Sequence, residues 1–355
     1  MNGTFHLLAS SVFLSALISL VGGELFSTLV GAGSAAAITG FLAGYELLKC
    51  RYYECCDQRW ILNDMEGLRR DYANRLYGQH LVSDTVVKAV RRHLANDVPK
   101  KALTMSFHGW TGGGKNYVSQ MLAERLYRLG MNSQFVHLFV SGLHFPHRSE
   151  TQLYKTQLSQ WIRGNVSVCE RSLFIFDEMD KMHPEVIDAI KPFIDHHTHL
   201  QGTDYRKSIF VFLSNTGGND ITAEALAHWR QGQARESATL QQMEHQITMA
   251  AFNEKSGLQY SDLISSHLID HFVPFLPLER PHVKLCARDY FRSKNISWIQ
   301  DEWLSRVADM LQYFPEDGKV FSTSGCKKVE KKAELLLEML EEERGADADD
   351  ERDEL

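Results

Sequence analysis

The chain has 355 residues, 44% of them hydrophobic, and a net charge of −7 at pH 7. That length allows a sizeable core and two or three domains. Residues 341–355 hold nine acids and two arginines, which is −7 by themselves, so the rest is balanced. A neutral body with a short acidic tail argues against a polyanion-binding surface, and so against nucleic acid as a partner.

The first 23 residues carry no Lys, Arg, Asp or Glu, and Phe5 to Val21 is mostly apolar before Gly22-Gly23. This pattern predicts a secretory signal peptide over residues 1–23, with only the free amine and His6 in its n-region. A second uncharged stretch, Leu25 to Tyr45, is rich in Gly, Ala and Ser. It is long enough to span a bilayer, but its weak hydrophobicity predicts a membrane-associating segment over 24–48 lying in one leaflet.

Ala102 to Phe107 reads as a buried strand and Tyr117 to Leu126 as a helix with apolar positions at Val118, Met121, Leu122 and Leu126. Between them runs Gly109-Trp110-Thr111-Gly112-Gly113-Gly114-Lys115-Asn116. The spacing G-x-x-x-x-G-K is that of a Walker A phosphate loop, with Asn116 where Ser or Thr is usual. A glycine-rich turn between strand and helix bares backbone N–H groups at a helix N-terminus, where phosphate is stabilised by hydrogen bonds and the dipole. Gly109 to Tyr117 are therefore the expected nucleotide-binding residues, with Lys115 reaching the β- and γ-phosphates. Asn116 can offer Mg²⁺ an amide oxygen or a phosphate an N–H donor, but lacks the compact double use of a hydroxyl.

Leu173-Phe174-Ile175-Phe176 is a second buried strand, ending in Asp177-Glu178. Ligands of parallel sheets bind at that end of a strand. Two adjacent carboxylates repel unless a cation lies between them, which points to Mg²⁺ on Asp177 and a general-base role for Glu178. A third strand, Ser208 to Leu213, ends in Ser214-Asn215. Asn215 is placed to bridge a γ-phosphate and the attacking water, or to cap the turn formed with Thr216-Gly217-Gly218. Alternation of strands and helices up to residue 278 predicts an α/β nucleotide-binding domain over 49–278. Residues 279–343 read as a small helical lid, with an amphipathic helix over Glu330 to Glu343. Residues 344–355 form an acidic, disordered tail ending in Arg352-Asp353-Glu354-Leu355, which resembles a Lys-Asp-Glu-Leu retrieval signal.

The two termini together predict the endoplasmic reticulum lumen. Cysteine usage fits: Cys50, Cys55, Cys56, Cys169, Cys286 and Cys326 make an even set with no C-x-x-C pair. Asn165-Val166-Ser167 and Asn295-Ile296-Ser297 are N-glycosylation sequons, usable only in a lumenal protein. His196, His197 and His199 have only Asp195 nearby and read as a solvated loop.

The phosphate loop with Asn116, the run Phe174-Ile175-Phe176-Asp177-Glu178-Met179-Asp180-Lys181-Met182 and the lumenal address resemble the torsin family of AAA+ ATPases. Further resemblance lies in Val136 to Val140, Leu143 to His147, Gln160 to Asn165, Asp188 to Phe193 and Phe272 to Leu278, and extends from about Cys50 to Val329. It implies an AAA+ fold with a parallel-sheet large domain and a helical lid, and a Mg²⁺-dependent ATP hydrolase. Asn215 matches sensor 1, and Gly325-Cys326-Lys327 matches a sensor 2 motif in which Lys327 takes the place of the Arg of the Clp branch. Glu178, Asn215 and Lys327 are the implied catalytic residues, and Asp177 and Asn116 the implied metal ligands. A Cys286–Cys326 disulfide is implied, either a staple or a redox switch, together with a Cys50–Cys169 bridge. The position that carries the arginine finger in the Clp branch is Leu268. The resemblance therefore implies slow hydrolysis alone and an arginine supplied in trans by the lumenal domain of a single-span membrane protein of the lamina-associated-polypeptide-1 type. It also implies a homo-oligomer or a hetero-oligomeric ring at the endoplasmic reticulum and nuclear envelope, remodelling protein complexes or membranes.

Overall fold

The computed structural model describes residues 48–253, 267–296 and 299–353. The signal peptide, nearly all of the expected membrane-associating segment, and Glu354-Leu355 lie outside the described residues. Among the described residues no helix is long and apolar enough to cross a membrane. The chain separates into two compact units, residues 1–55 and 56–355. Of the first, the described part is a short helical stretch and a turn closed by a Cys50–Cys55 disulfide.

The second unit begins with helices α1 (Met65–Arg75) and α2 (His80–Leu94). Asp64 caps α1 by accepting the Gly67 N–H at 2.8 Å, which satisfies one of the donors a helix start leaves open. Then come β1 (Leu103–Gly109), α3 (Lys115–Leu126), β2 (Val136–Val140), α4 (Ser141–His144), α5 (Thr151–Val168) and β3 (Leu173–Asp177). They are followed by α6 (Pro184–Asp188), α7 (Lys191–Ile194), β4 (Ile209–Ser214), α8 (Gly218–Arg230), α9 (Leu240–Asn253) and β5 (His271–Phe275). The five strands form one parallel sheet in the order β2-β3-β4-β1-β5.

Such a sheet is stable only when both faces are covered, and its strands are correspondingly apolar throughout. Alternate strand residues serve two layers. Met105, Phe107, Ile175, Val211 and Leu213 pack with α1, α2 and α3 in one core. Phe174, Phe176, Phe210 and Phe212 pack with α5, α6 and α7 in the other. Two aromatic rows cross that second face: His137–Phe174–Phe210, with ring centres 4.9 Å apart at each step, and Phe139–Phe176–Phe212, at 5.0 and 5.5 Å. Cross-strand pairs of this kind fix the register, and so place Asp177 and Ser214 at the same sheet edge as the end of β1.

The lid consists of α10 (Arg280–Ser293), α11 (Asp301–Asp309), the antiparallel pair β6 (Tyr313–Phe314) and β7 (Phe321–Ser322), and α12 (Val329–Asp353). Its own core joins Val283, Ala287, Phe291, Val307, Ala333 and Leu336. Helix α12 runs past Glu343, through most of the stretch expected as a disordered tail. The segment has no proline to stop the helix, although Gly345 and four aspartates are weak helix formers.

One expected bridge is corrected. Cys169 pairs with Cys56, and Cys50 pairs with Cys55. Cys50 lies in a helical stretch that ends at Tyr52, and the bend after it brings Cys55 to a Cα separation of 5.4 Å, within bridging range. The neighbouring Cys56 meets Cys169, just beyond α5, at a Cα separation of 5.3 Å. The expected Cys286–Cys326 pair is present and joins α10 to the segment before α12.

Candidate active site

A cavity of about 680 Å³ opens at the C-terminal edge of the sheet, between the large domain and the lid. The expected residues Thr111 to Tyr117, Asp177, Glu178, Asn215 and Lys327 all line it. Gly109 and Trp110, also expected, are not among its lining residues.

The phosphate loop leaves β1 and enters α3 as expected, with the helix beginning at Lys115. The Lys115 ammonium donates to the carbonyls of Gly109 (2.6 Å) and Trp110 (3.1 Å) and to Asn215 Oδ1 (3.0 Å). Burial pulls its pKa down to about 8, against the opposing pull of Asp180 and Asp177. Asn116 donates its amide N–H to Asp177 Oδ2 at 2.6 Å, the Glu178 N–H donates to Asp177 Oδ1 at 2.8 Å, and both Asn116 and Asp177 line the cavity, offering an amide oxygen and a carboxylate. These are hard oxygen donors, and two protein oxygens beside a phosphate site fit the habit of Mg²⁺, which completes its shell with water and substrate.

Glu178 follows the strand in the left-handed conformation, φ 58°. Its Oε1 accepts from Lys181 at 2.5 Å. Asn215 is held by Asp180, whose carboxylate accepts its backbone N–H at 3.0 Å. Asp180 and Lys181 were inside the acidic run of the sequence without an assigned role; only the turn after β3 shows that one orients Asn215 and the other pairs with Glu178.

Two further positions were not legible in the sequence. Gln79, at the start of α2, is buried; its Nε2 donates to the carbonyls of Gly113 (3.0 Å) and Leu276 (2.8 Å) while its Oε1 accepts the Leu276 N–H (2.9 Å). It thus fixes the phosphate loop to the chain leaving β5. His108, fully buried next to the loop, contacts Ser106 Oγ (2.7 Å) and the Thr216 carbonyl (2.9 Å) through its two ring nitrogens. Burial lowers its pKa to about 4, so the ring is neutral, with Nδ1–H donating to the carbonyl. Trp110, expected from its place in the phosphate loop, donates its indole N–H to the Thr323 carbonyl of the lid at 2.9 Å.

The loop also touches the lid through its backbone. Gly112, at φ 77°, and Gly325, at φ 53°, face one another so closely that a Cβ on either would collide with the other strand's backbone. The Cys326 N–H donates to the Gly112 carbonyl at 3.3 Å. The exposed Lys327 is thereby carried to the phosphate side of the cavity. Leu268, in contrast, is 4% exposed, and its carbonyl accepts from Thr104 Oγ1 and Lys101. Asn165 lies on α5 with its amide donating to the Trp161 carbonyl, and Asn295 is exposed just past α10.

The structure is similar to the S. cerevisiae Hsp104–ADP complex, with a TM-score of 0.55 at 16% identity over 79% of this chain and 48% of that one. A closed-state Hsp104 with ATPγS and FITC-casein gives 0.52 at 16% identity over 78% and 48%. This chain thus spans about half the length of those Hsp104 chains, and the likeness is one of fold: an α/β AAA+ domain with a C-terminal helical lid. The torsin family model matches residues 50–176, and the model of the Torsin-1A C-terminal domain matches residues 278–335. A torsin-like protein of Caenorhabditis elegans is 42% identical over 328 residues, 90% of this chain and 92% of that protein. With an AAA+ fold, a phosphate loop ending in Asn116 and a relative so alike over nearly its whole length, the chain belongs to the torsin family.

Proposed function

We propose that this chain is a Mg²⁺-dependent ATP hydrolase of the endoplasmic reticulum and nuclear envelope lumen, activated in trans by a membrane partner, that remodels protein complexes or membranes. One observation carries the ATPase reading: Lys115, Asn116, Asp177, Glu178, Asn215 and Lys327 converge on a single cavity. The amides at the start of α3 and the Lys115 ammonium bind the phosphates. Asp177 and the Asn116 oxygen would hold the metal, which would supply positive charge to offset the charge of the transferred phosphoryl group. Glu178 takes the proton of the attacking water once Lys181 releases it, Asn215 orients that water, and Lys327 contacts the γ-phosphate.

The lumenal address rests on the two termini, and the three disulfides support an oxidising compartment. Asn295 is the more accessible of the two sequons for a glycan. The buried Leu268 supports an external arginine, worth about 10³ to 10⁵ in rate. A second reading is favoured by the Lys181–Glu178 pair: ATP fixes a binding-competent or assembled state, and hydrolysis only releases partners.

Steady-state ATP hydrolysis by the full chain, alone and with the lumenal domain of a lamina-associated-polypeptide-1-type partner, tests the proposal. Negligible turnover alone and a large rise that disappears when the partner's arginine is changed is the expected result. Substantial turnover alone would overturn activation in trans.

A further inference from the structure

Several contacts tie the lid to the large domain, and they differ in their distance from the hinge. The hinge itself is the segment between β5 and α10. There Arg235 donates to Glu279 Oε1 at 3.0 Å and to the Gly78 carbonyl, and the Ser322 N–H donates to the Leu278 carbonyl. These contacts lie at the junction itself, and the phosphate loop adds two more, from Trp110 to the Thr323 carbonyl and from the Cys326 N–H to the Gly112 carbonyl. Tyr77 is next to Gly78 in the chain, but its side chain makes contact further along α10. Its hydroxyl donates to Asp289 Oδ2 at 2.5 Å, and Asp289 is on the third turn of α10. Nine residues of helix separate it from Arg280, an arm of about 13.5 Å. A lid rotation of about 10° moves the end of that arm by about 2 Å, enough to break a hydrogen bond that the hinge contacts would survive.

Tyr77 and Asp289 both line the nucleotide cavity, one from each domain. Arg75, Tyr117 and Cys286 line it beside them, with the Arg75 guanidinium 5.5 Å from the Tyr117 ring centre. The Tyr77 hydroxyl also lies 3.1 Å from the Asn74 carbonyl, an acceptor on its own side of the cavity. When the lid moves away, the hydroxyl can turn to Asn74 and is not left unpaired. Asp289 is partly exposed, with Arg288 Nε 4.0 Å from its other oxygen, so its carboxylate is hydrated on opening. An interaction whose donor and acceptor both keep partners in the open state costs little to break. That suits a reversible closure better than a permanent staple.

We propose that the Tyr77–Asp289 hydrogen bond is a clasp that holds the lid over bound nucleotide and sets the rate of nucleotide release. Tyr77 and Asp289 act as positioning residues, and the proposal rests on the nucleotide-site reading above. Dissociation of a fluorescent ADP from the purified full-length protein, followed by stopped flow against excess ADP, reads it directly and needs neither hydrolysis nor a partner. Tyr77→Phe and Asp289→Ala are each expected to speed release by about five- to tenfold, and the double variant to release no faster than either single one. The thermal midpoints of all three are expected to stay near that of the unaltered protein, which a structural staple would not allow. Release rates within twofold of the unaltered protein for both single variants, or effects that multiply in the double variant, would overturn the clasp alone. Failure of the unaltered protein to bind the nucleotide would overturn the nucleotide-site reading and the clasp with it.

Discussion

Lys115 holds two opposed dependences on pH. Its burial lowers the pKa to about 8 from an ordinary 10.5. Between those values the unfolded chain keeps a proton that the folded chain has released, so folding stability rises with pH across the window. Phosphate binding needs the charged ammonium, so nucleotide affinity falls across the same window. Thermal midpoints and nucleotide affinities measured from about pH 7 to 10 should show both slopes in the unaltered protein, and Lys115→Met should flatten both. Asn116 spends its N–H donor on Asp177, which leaves one amide oxygen where a hydroxyl would both donate and ligate. Asn116→Thr is expected to raise Mg²⁺ affinity in the presence of ATP and to raise partner-activated turnover. If neither quantity moves, the account of Asn116 is wrong. Glu178→Gln should lower activated turnover by about a hundredfold or more and leave ATP affinity almost unchanged.

At the scale of elements, the site depends on how α2 and the hinge are attached to the sheet. Gln79 occupies a buried position where an apolar side chain would leave the Gly113 and Leu276 carbonyls and the Leu276 N–H without their partner. Gln79→Leu should therefore cost about 2 kcal/mol or more of stability in urea denaturation and weaken nucleotide binding through the loosened phosphate loop. Arg235 is the hinge counterpart: its side chain is 10% exposed and its partner Glu279 caps the start of α10. Removing one member of such a pair strands the other, and Arg235→Met should cost about 3 kcal/mol. Helix α12 shows a conflict of the opposite kind. Lys328, Lys331 and Lys332 crowd its N-terminal turns, where the helix dipole disfavours cations, so its anchorage comes from Val329, Ala333, Leu336 and Leu340 packed in the lid core.

For the whole molecule, covalent and non-covalent ties converge on the same loop. The Cys286–Cys326 bridge closes a separation of 40 residues and ends one residue before Lys327. By loop-closure entropy it stabilises the lid by about 4 kcal/mol. Replacing both cysteines by serine should lower stability by a comparable amount and also change nucleotide affinity, because the Cys326 N–H is bonded to Gly112 of the phosphate loop. A loss of stability with unchanged affinity would make the bridge a staple and nothing more.

Length, the phosphate loop, the Asp177-Glu178 strand end and the strand of Ser208 to Leu213 made the fold class legible in the sequence and named the residues that the structure gathers on one cavity. They did so because each motif is local: a short apolar run and a few residues at fixed spacing carry it. What sequence could not decide were partners far apart in the chain. Which of two adjacent cysteines meets Cys169 depends on the direction in which a turn leaves each side chain. Gln79 joins Gly113 and Leu276, and Tyr77 meets Asp289, only because a parallel sheet and a packed lid return those segments to one edge. Such contacts have no periodicity and no spacing to read; they exist only once burial has brought the elements together.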